Sequence, residues 1–154
     1  MGYKVGLDVF APFMSYFVGQ DIPALSRLCD FVKPMMYGAT FAPAGLPFEL
    51  EALNAATAAT NGGHEFCKTL RLDPDMRPFD FEFIQREVKH LANACSCPVY
   101  AGVEINRIPG IADTDPAYVK NALSACSDAS GYVLSWNMLD APMEHINAVK
   151  NLLN

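Results

Sequence analysis

The apolar residues of this chain gather in four short and nearly unbroken runs, at residues 4–10, 31–37, 99–104 and 131–136, each followed closely by Gly, Pro or Asn. Runs of this length, rich in Val, Phe, Tyr and Leu and bounded by turn residues, predict β-strands. They do not alternate polar with apolar. That is the pattern of parallel strands covered on both faces rather than of a half-solvated antiparallel sheet.

Between the runs the apolar spacing changes to three and four. Asp21-Ile22-Pro23 opens a short helix with Asp21 as cap, carried by Ala24, Leu25, Leu28 and Cys29. Residues 78–95 hold Phe79, Phe83, Ile84, Val88, Leu91 and Ala92 at helical spacing, the strongest such pattern in the chain. Asp115-Pro116 begins another helix through Val119, Leu123 and Cys126. Asp140-Ala141-Pro142 begins the last, through Ile146, Val149, Leu152 and Leu153. Residues 38–77 are too long for a simple loop. Their Ala-rich stretch at 48–60, closed by Asn61-Gly62-Gly63, predicts a helical excursion over one face.

The order is thus βα, β with a helical insertion and then α, βα, βα, which predicts an α/β fold with a parallel sheet and right-handed crossovers. No internal linker or repeat divides it, so residues 1–154 are read as one domain. A complete (β/α)8 barrel takes about 250 residues. At 154 residues the chain has the length of a parallel (βα)4 unit, half of such a barrel.

Composition narrows the function classes. The apolar share of 51% and charged share of 18% suit elements buried on both faces. A net charge of -6 without a cluster of Lys and Arg speaks against nucleic acid as a partner, which binds through counterion release. No apolar stretch reaches the roughly 20 residues of a membrane span, and the first residues lack a signal-peptide pattern, so a cytoplasmic location is expected. Cys29, Cys67, Cys95, Cys97 and Cys126 have neither disulfide-framework nor zinc spacing and read as reduced, mostly buried small residues. The Cys95-Ser96-Cys97 pair reads as core or turn. No Gly-x-Gly-x-x-Gly, P-loop or Gly-x-Ser-x-Gly follows a strand, and no cofactor or metal is expected.

Active sites of parallel α/β proteins lie at the carboxyl ends of the strands. Those ends supply Asp8, then Lys33 and Tyr37, then Glu104 and Asn106, then Trp136, Asn137 and Asp140. Glu104 stands out, because Val99 to Ile105 is otherwise apolar and a buried carboxylate needs a partner or a purpose. It is either a salt-bridged or solvent-facing Glu at a strand exit, or catalytic. Asp8 and Lys33 are either an ion pair with each other or substrate contacts. Tyr37 and Trp136 are either core aromatics or pocket walls, since a sugar ring stacks on aromatic faces while Tyr O–H and Trp N–H bond hydroxyls. His64 falls in the insertion, and His90 and His145 fall in helix patterns, where an outer-face or solvated histidine is expected.

These residues together resemble the last four βα units of the retaining glycoside hydrolases built on (β/α)8 barrels. Aligned so, Glu104 falls at the nucleophile position of the seventh strand, Tyr37 at the end of the sixth and Trp136 at the sugar-stacking position of the eighth. Gly6-Leu7-Asp8-Val9-Phe10-Ala11-Pro12, Val32-Lys33-Pro34-Met35-Met36-Tyr37 and Pro43-Ala44-Gly45-Leu46-Pro47-Phe48-Glu49 are also similar to segments of bacterial barrel proteins grouped with glycosidases. The resemblance implies a carbohydrate ligand, Glu104 as catalytic nucleophile, and Asp8, Lys33, Tyr37, Asn106, Trp136 and Asn137 as substrate-binding residues. It departs at one place: the acid/base Glu of that family sits on the fourth strand, which has no counterpart here. The chain is therefore expected to be the carboxyl-terminal half of a glycosidase barrel, weak or inactive alone. The missing half comes from an amino-terminal partner or from a second copy in a homodimer. Alternatives are a non-catalytic carbohydrate-binding or scaffold half-barrel, and an aldolase-like enzyme with Lys33 as Schiff-base lysine.

Overall fold

The computed structural model describes residues 2–57, 62–70, 80–135 and 141–154, with the backbone alone at 63, 64, 67 and 70. All four predicted strands form, each slightly shorter than its apolar run: β1 (Gly6–Val9), β2 (Phe31–Pro34), β3 (Tyr100–Glu104) and β4 (Gly131–Ser135). They make two short parallel sheets. Gly6 lies opposite Phe31 and Asp8 opposite Lys33 in one, and Tyr100 lies opposite Gly131 and Glu104 opposite Ser135 in the other.

Single parallel bridges, Val32 with Val99 and Met35 with Gly102, join β2 to β3. The reason the ladder is not continuous there is Pro34. Val32 N–H donates to Pro98 O at 3.1 Å and Met36 N–H to Gly102 O at 2.9 Å. The donor between them in this every-second-residue series belongs to residue 34, and proline has no N–H.

Side chains of a strand alternate between its faces. The parity here separates Val9, Val32, Ala101, Val103 and Ile105, all buried, from Asp8, Lys33, Tyr100, Gly102, Glu104 and Ser135. The first set packs under helices. The second forms a face of glycine, aromatic and polar groups, so burial on both faces by apolar contact does not hold. An ideal Cβ on Gly6 would fall 2.0 Å from the Phe31 ring and one on Gly131 2.9 Å from the Tyr100 ring. Phe31 and Tyr100 therefore lie over neighbouring glycines, and they meet edge to face with centroids 5.4 Å apart.

After β1 come α1 (Pro12–Ser15), a 3-10 turn at Tyr16–Val18 ended by Gly19 in the left-handed region, and α2 (Ile22–Leu25). The first helix and the turn were not foreseen. Asp21 caps α2 as predicted, its Oδ1 accepting Ala24 N–H at 3.1 Å, but the helix is a single turn. The described part of the insertion holds two helices, α3 (Leu46–Thr57) and α4 (Gly62–Leu70).

Next, α5 (Phe81–Ala94) is capped by Asp80, whose Oδ1 accepts Glu82 N–H at 2.9 Å, so it starts later than residue 78. Its Phe83, Ile84, Val88 and Leu91 are buried as the spacing requires. Asp115 caps α6 (Pro116–Ala125) by accepting Tyr118 N–H at 2.6 Å. In α7 (Met143–Leu153) Pro142 is itself the cap rather than a first-turn residue. Asp140, expected as that cap, lies outside the described residues, as do Trp136 and Asn137. No helix of the described residues is long and apolar enough to cross a membrane.

Candidate active site

The strand ends converge with the loops that follow β2 and β3. Tyr37, three residues past β2, sends its hydroxyl to Ser135 Oγ on β4, 3.0 Å away. It crosses β3 to do so. Gly102 on β3 permits the passage, since a Cβ there would come within 3.5 Å of Tyr37 Cε1 and 3.3 Å of Lys33 Cε.

Glu104 ends β3 on the same face and is only 2% exposed. Its Oε1 accepts Ala39 N–H at 2.7 Å, from the loop after β2, and the Tyr118 hydroxyl at 2.5 Å, from α6. Its Oε2 is buried and makes no hydrogen bond among the described residues. No cation pairs with the carboxyl among the described residues. Of the forms offered by the sequence, the salt-bridged Glu is absent among the described residues and the solvent-facing one is overturned by burial.

Burial pushes the Glu104 carboxyl up to about 7, against the pull of the Tyr118 hydroxyl and the backbone amides around it. The buried Cys126 thiol is pushed up to about 12, first by desolvation and then by the Glu104 charge. Tyr118 is likewise raised by burial and by that charge. Glu104 is thus the group in this cluster that titrates near neutrality.

Ala39 and Tyr118 also line a cleft of about 530 Å³, with Gly38, Phe41, Pro47, Ile111 and Asp113 among its other walls. This is the volume of a small-ligand site. Phe41 stands edge to face with Phe48, centroids 5.6 Å apart, and at this rim Phe41 N–H donates to Ile111 O at 2.6 Å. The loop after β2 is thereby tied to the loop after β3. Sequence reasoning missed Tyr118, Phe41 and Asp113, because none lies on a strand end. Tyr118 reads from the sequence only as a residue in the first turn of a helix.

Asp8 and Lys33 do pair, Nζ to Oδ2 at 2.9 Å, with the Lys33 side chain largely covered and that of Asp8 exposed. Burial lowers the Lys33 ammonium, but Asp8 and Tyr37 more than offset it and hold the group above its ordinary value. An amine held in its protonated form is a poor nucleophile. Asn106 sits past β3, where its carbonyl accepts the Thr114 hydroxyl and closes the loop before α6. The structure therefore brings Tyr37, Glu104 and Lys33 onto one face around Gly102, and holds Asn106 in the adjoining loop.

His145 departs from expectation. It is fully buried, with Nδ1 2.9 Å from Ile105 O and Nε2 3.0 Å from Arg107 Nη2. Arg107 further donates to Thr114 O at 2.9 Å and pairs with Glu144 at 2.6 Å. This histidine fastens α7 to the exit of β3. His90 is exposed as expected, and the His64 side chain lies outside the description.

No group of three or more His, Cys, Asp or Glu among the described residues could hold a metal ion. Comparison with protein-family models, with curated proteins and with solved structures finds no match to this chain.

Proposed function

We propose that the chain is one half of a parallel (βα)8-type barrel acting on carbohydrates, with Glu104 as its reactive carboxyl. The observation that carries this reading is a strand-end carboxyl with a pKa near 7, one hydrogen bond away from a cleft of about 530 Å³. Supporting it, four strands follow one another in chain order with parallel bridges, and Glu104 stands at the carboxyl end of one of them, where the sites of such barrels form.

The resemblance assigns Glu104 to nucleophilic attack. Its environment fits proton transfer better. A nucleophile must be ionised, whereas a carboxyl that titrates near 7 both gives and takes a proton at working pH. In this role Glu104 protonates the leaving glycosidic oxygen through Oε2, which has no hydrogen-bond partner among the described residues, while Ala39 N–H and Tyr118 O–H steady Oε1. Phe41 offers the sugar an aromatic face and Asp113 a hydroxyl acceptor in the cleft. The second carboxyl that glycoside hydrolysis requires comes from the other half of the barrel.

A second reading, a half-barrel that binds sugar without turnover, draws on the burial of Glu104 and the full commitment of its Oε1. The aldolase-like reading has least support, because Asp8 keeps the Lys33 amine charged.

Glu104→Gln distinguishes the first two. In the catalytic reading, hydrolysis of aryl glycosides by the closed barrel falls by at least about a hundredfold while glycan binding is retained. Glycan binding by the unaltered protein with no turnover supports the second. Absence of both binding and hydrolysis across a broad glycan panel contradicts the carbohydrate assignment.

A further inference from the structure

We propose that Cys29 and Cys97 form a reversible disulfide that locks β2 to β3 at the amino ends of the strands, opposite the cleft. The two residues are 68 positions apart in sequence, yet their sulfurs lie 3.9 Å apart. They meet because each sits in the lead-in to a strand, Cys29 before β2 and Cys97 before β3, and those strands are parallel neighbours. Both side chains are half-buried, so an oxidant in solution reaches them. A disulfide needs its sulfurs about 2 Å apart, so forming it draws the two side chains closer together.

This pairing was hidden in the sequence, where Cys95-Ser96-Cys97 stood without a second cysteine pair and Cys29 lay far away along the chain. The position gives the bond a consequence. Pro34 interrupts the ladder between β2 and β3, so this junction is held by isolated bridges where the other strand pairs have continuous ones. A covalent link here closes a loop containing β2, α3, α4 and α5, and long loops lose the most chain entropy on cross-linking.

The chemistry is thiol–disulfide exchange with a small disulfide such as glutathione disulfide. The Cys29 thiolate attacks one sulfur of the oxidant, forming a mixed disulfide and expelling one glutathione thiolate. The Cys97 thiolate then attacks Cys29 Sγ and expels the second. Two protein thiols are oxidised, one disulfide is reduced to two thiols, and the two protein protons pass to the glutathione thiolates. Burial and the neighbouring Cys29 push the Cys97 thiol up to about 11, so ring closure accelerates as pH rises. Cys95 packs in the same cluster, and its thiol is raised by burial, partly offset by Ser26.

The test is incubation of the full chain with glutathione disulfide at mildly alkaline pH, then peptide mapping without reduction. The expected result is an intramolecular Cys29–Cys97 cross-link with loss of two hydrogens. Dithiothreitol reverses it, and the melting temperature rises by something on the order of 10 °C. Peptide mapping needs no variant, and Cys29→Ser serves as the control in which the melting temperature does not respond. Persistence of free thiols at both positions overturns the proposal. So does pairing with Cys67, Cys95 or Cys126, or a cross-link only between chains. A Cys29–Cys97 bond that leaves the melting temperature unchanged overturns the locking role.

Discussion

A buried carboxyl costs folding free energy only while it is charged, and Glu104 has no cation to offset that cost among the described residues. Its folded-state pKa of about 7 against an ordinary 4.5 corresponds to about 3 kcal/mol. The sign follows from proton counting. The folded chain binds this proton more tightly than the unfolded chain, so the contribution is fully present below about 4.5 and lost as pH rises through about 7. Urea unfolding at pH 5 and pH 8.5 should show the unaltered protein losing about 2–3 kcal/mol relative to Glu104→Gln, which does not titrate. A pH-independent difference would contradict the burial account. Tyr118→Phe removes a donor that favours the charged form, so it should move the Glu104 midpoint higher still, as read by carboxyl-carbon NMR. Glu104 was legible in the sequence because it breaks an apolar strand. Its partners were not: Ala39 contributes a backbone amide from 65 positions away, which no side-chain pattern can signal.

At the scale of elements, strands and caps were the readable part, and helix phase was not. The apolar spacing of α7 points to Ile146, Val149, Leu152 and Leu153 as its inner face. The buried residues are instead His145, Ala148 and Val149, and Ile146, Leu152 and Leu153 stand exposed. Hydrogen bonding wins over hydrophobic periodicity here, because His145 satisfies Ile105 O at the end of β3 and the Arg107 guanidinium together. Nδ1 donates to the carbonyl, which leaves Nε2 unprotonated to accept from Arg107. His145→Phe keeps the volume but strands both groups, and it should lower stability by about 2–3 kcal/mol in urea unfolding. A loss below about 0.5 kcal/mol would show that water replaces the ring without cost. The split between the two sheets was not foreseen, although its cause stands in the sequence: Pro34 lacks the N–H that would continue the ladder to β3.

For the whole molecule the decisive features are two unpaired strand edges, on β1 and β4, among the described residues. Apolar groups lie uncovered beside both. Tyr3 and Val5 are exposed ahead of β1, while the exposed Ile146 of α7 and the half-buried Leu134 of β4 line a cleft of about 260 Å³ together with the buried Ile105 and Val149. The exposed side of α7 continues that surface. In the sequence, half a barrel rested on the four strand/helix units and on the family resemblance. The outward turn of the apolar stripe on α7 adds a surface that another βα unit would cover, which periodicity had assigned to the chain's own core. Unpaired edges with adjoining apolar surface are templates for association. A second copy related by a twofold axis would set β4 of one chain beside β1 of the other, closing the barrel at both seams and covering both patches. Sedimentation equilibrium at micromolar concentration tests the half-barrel directly. The account predicts a particle of twice the 16.8 kDa chain mass, and a monomer that persists across the micromolar range would contradict it.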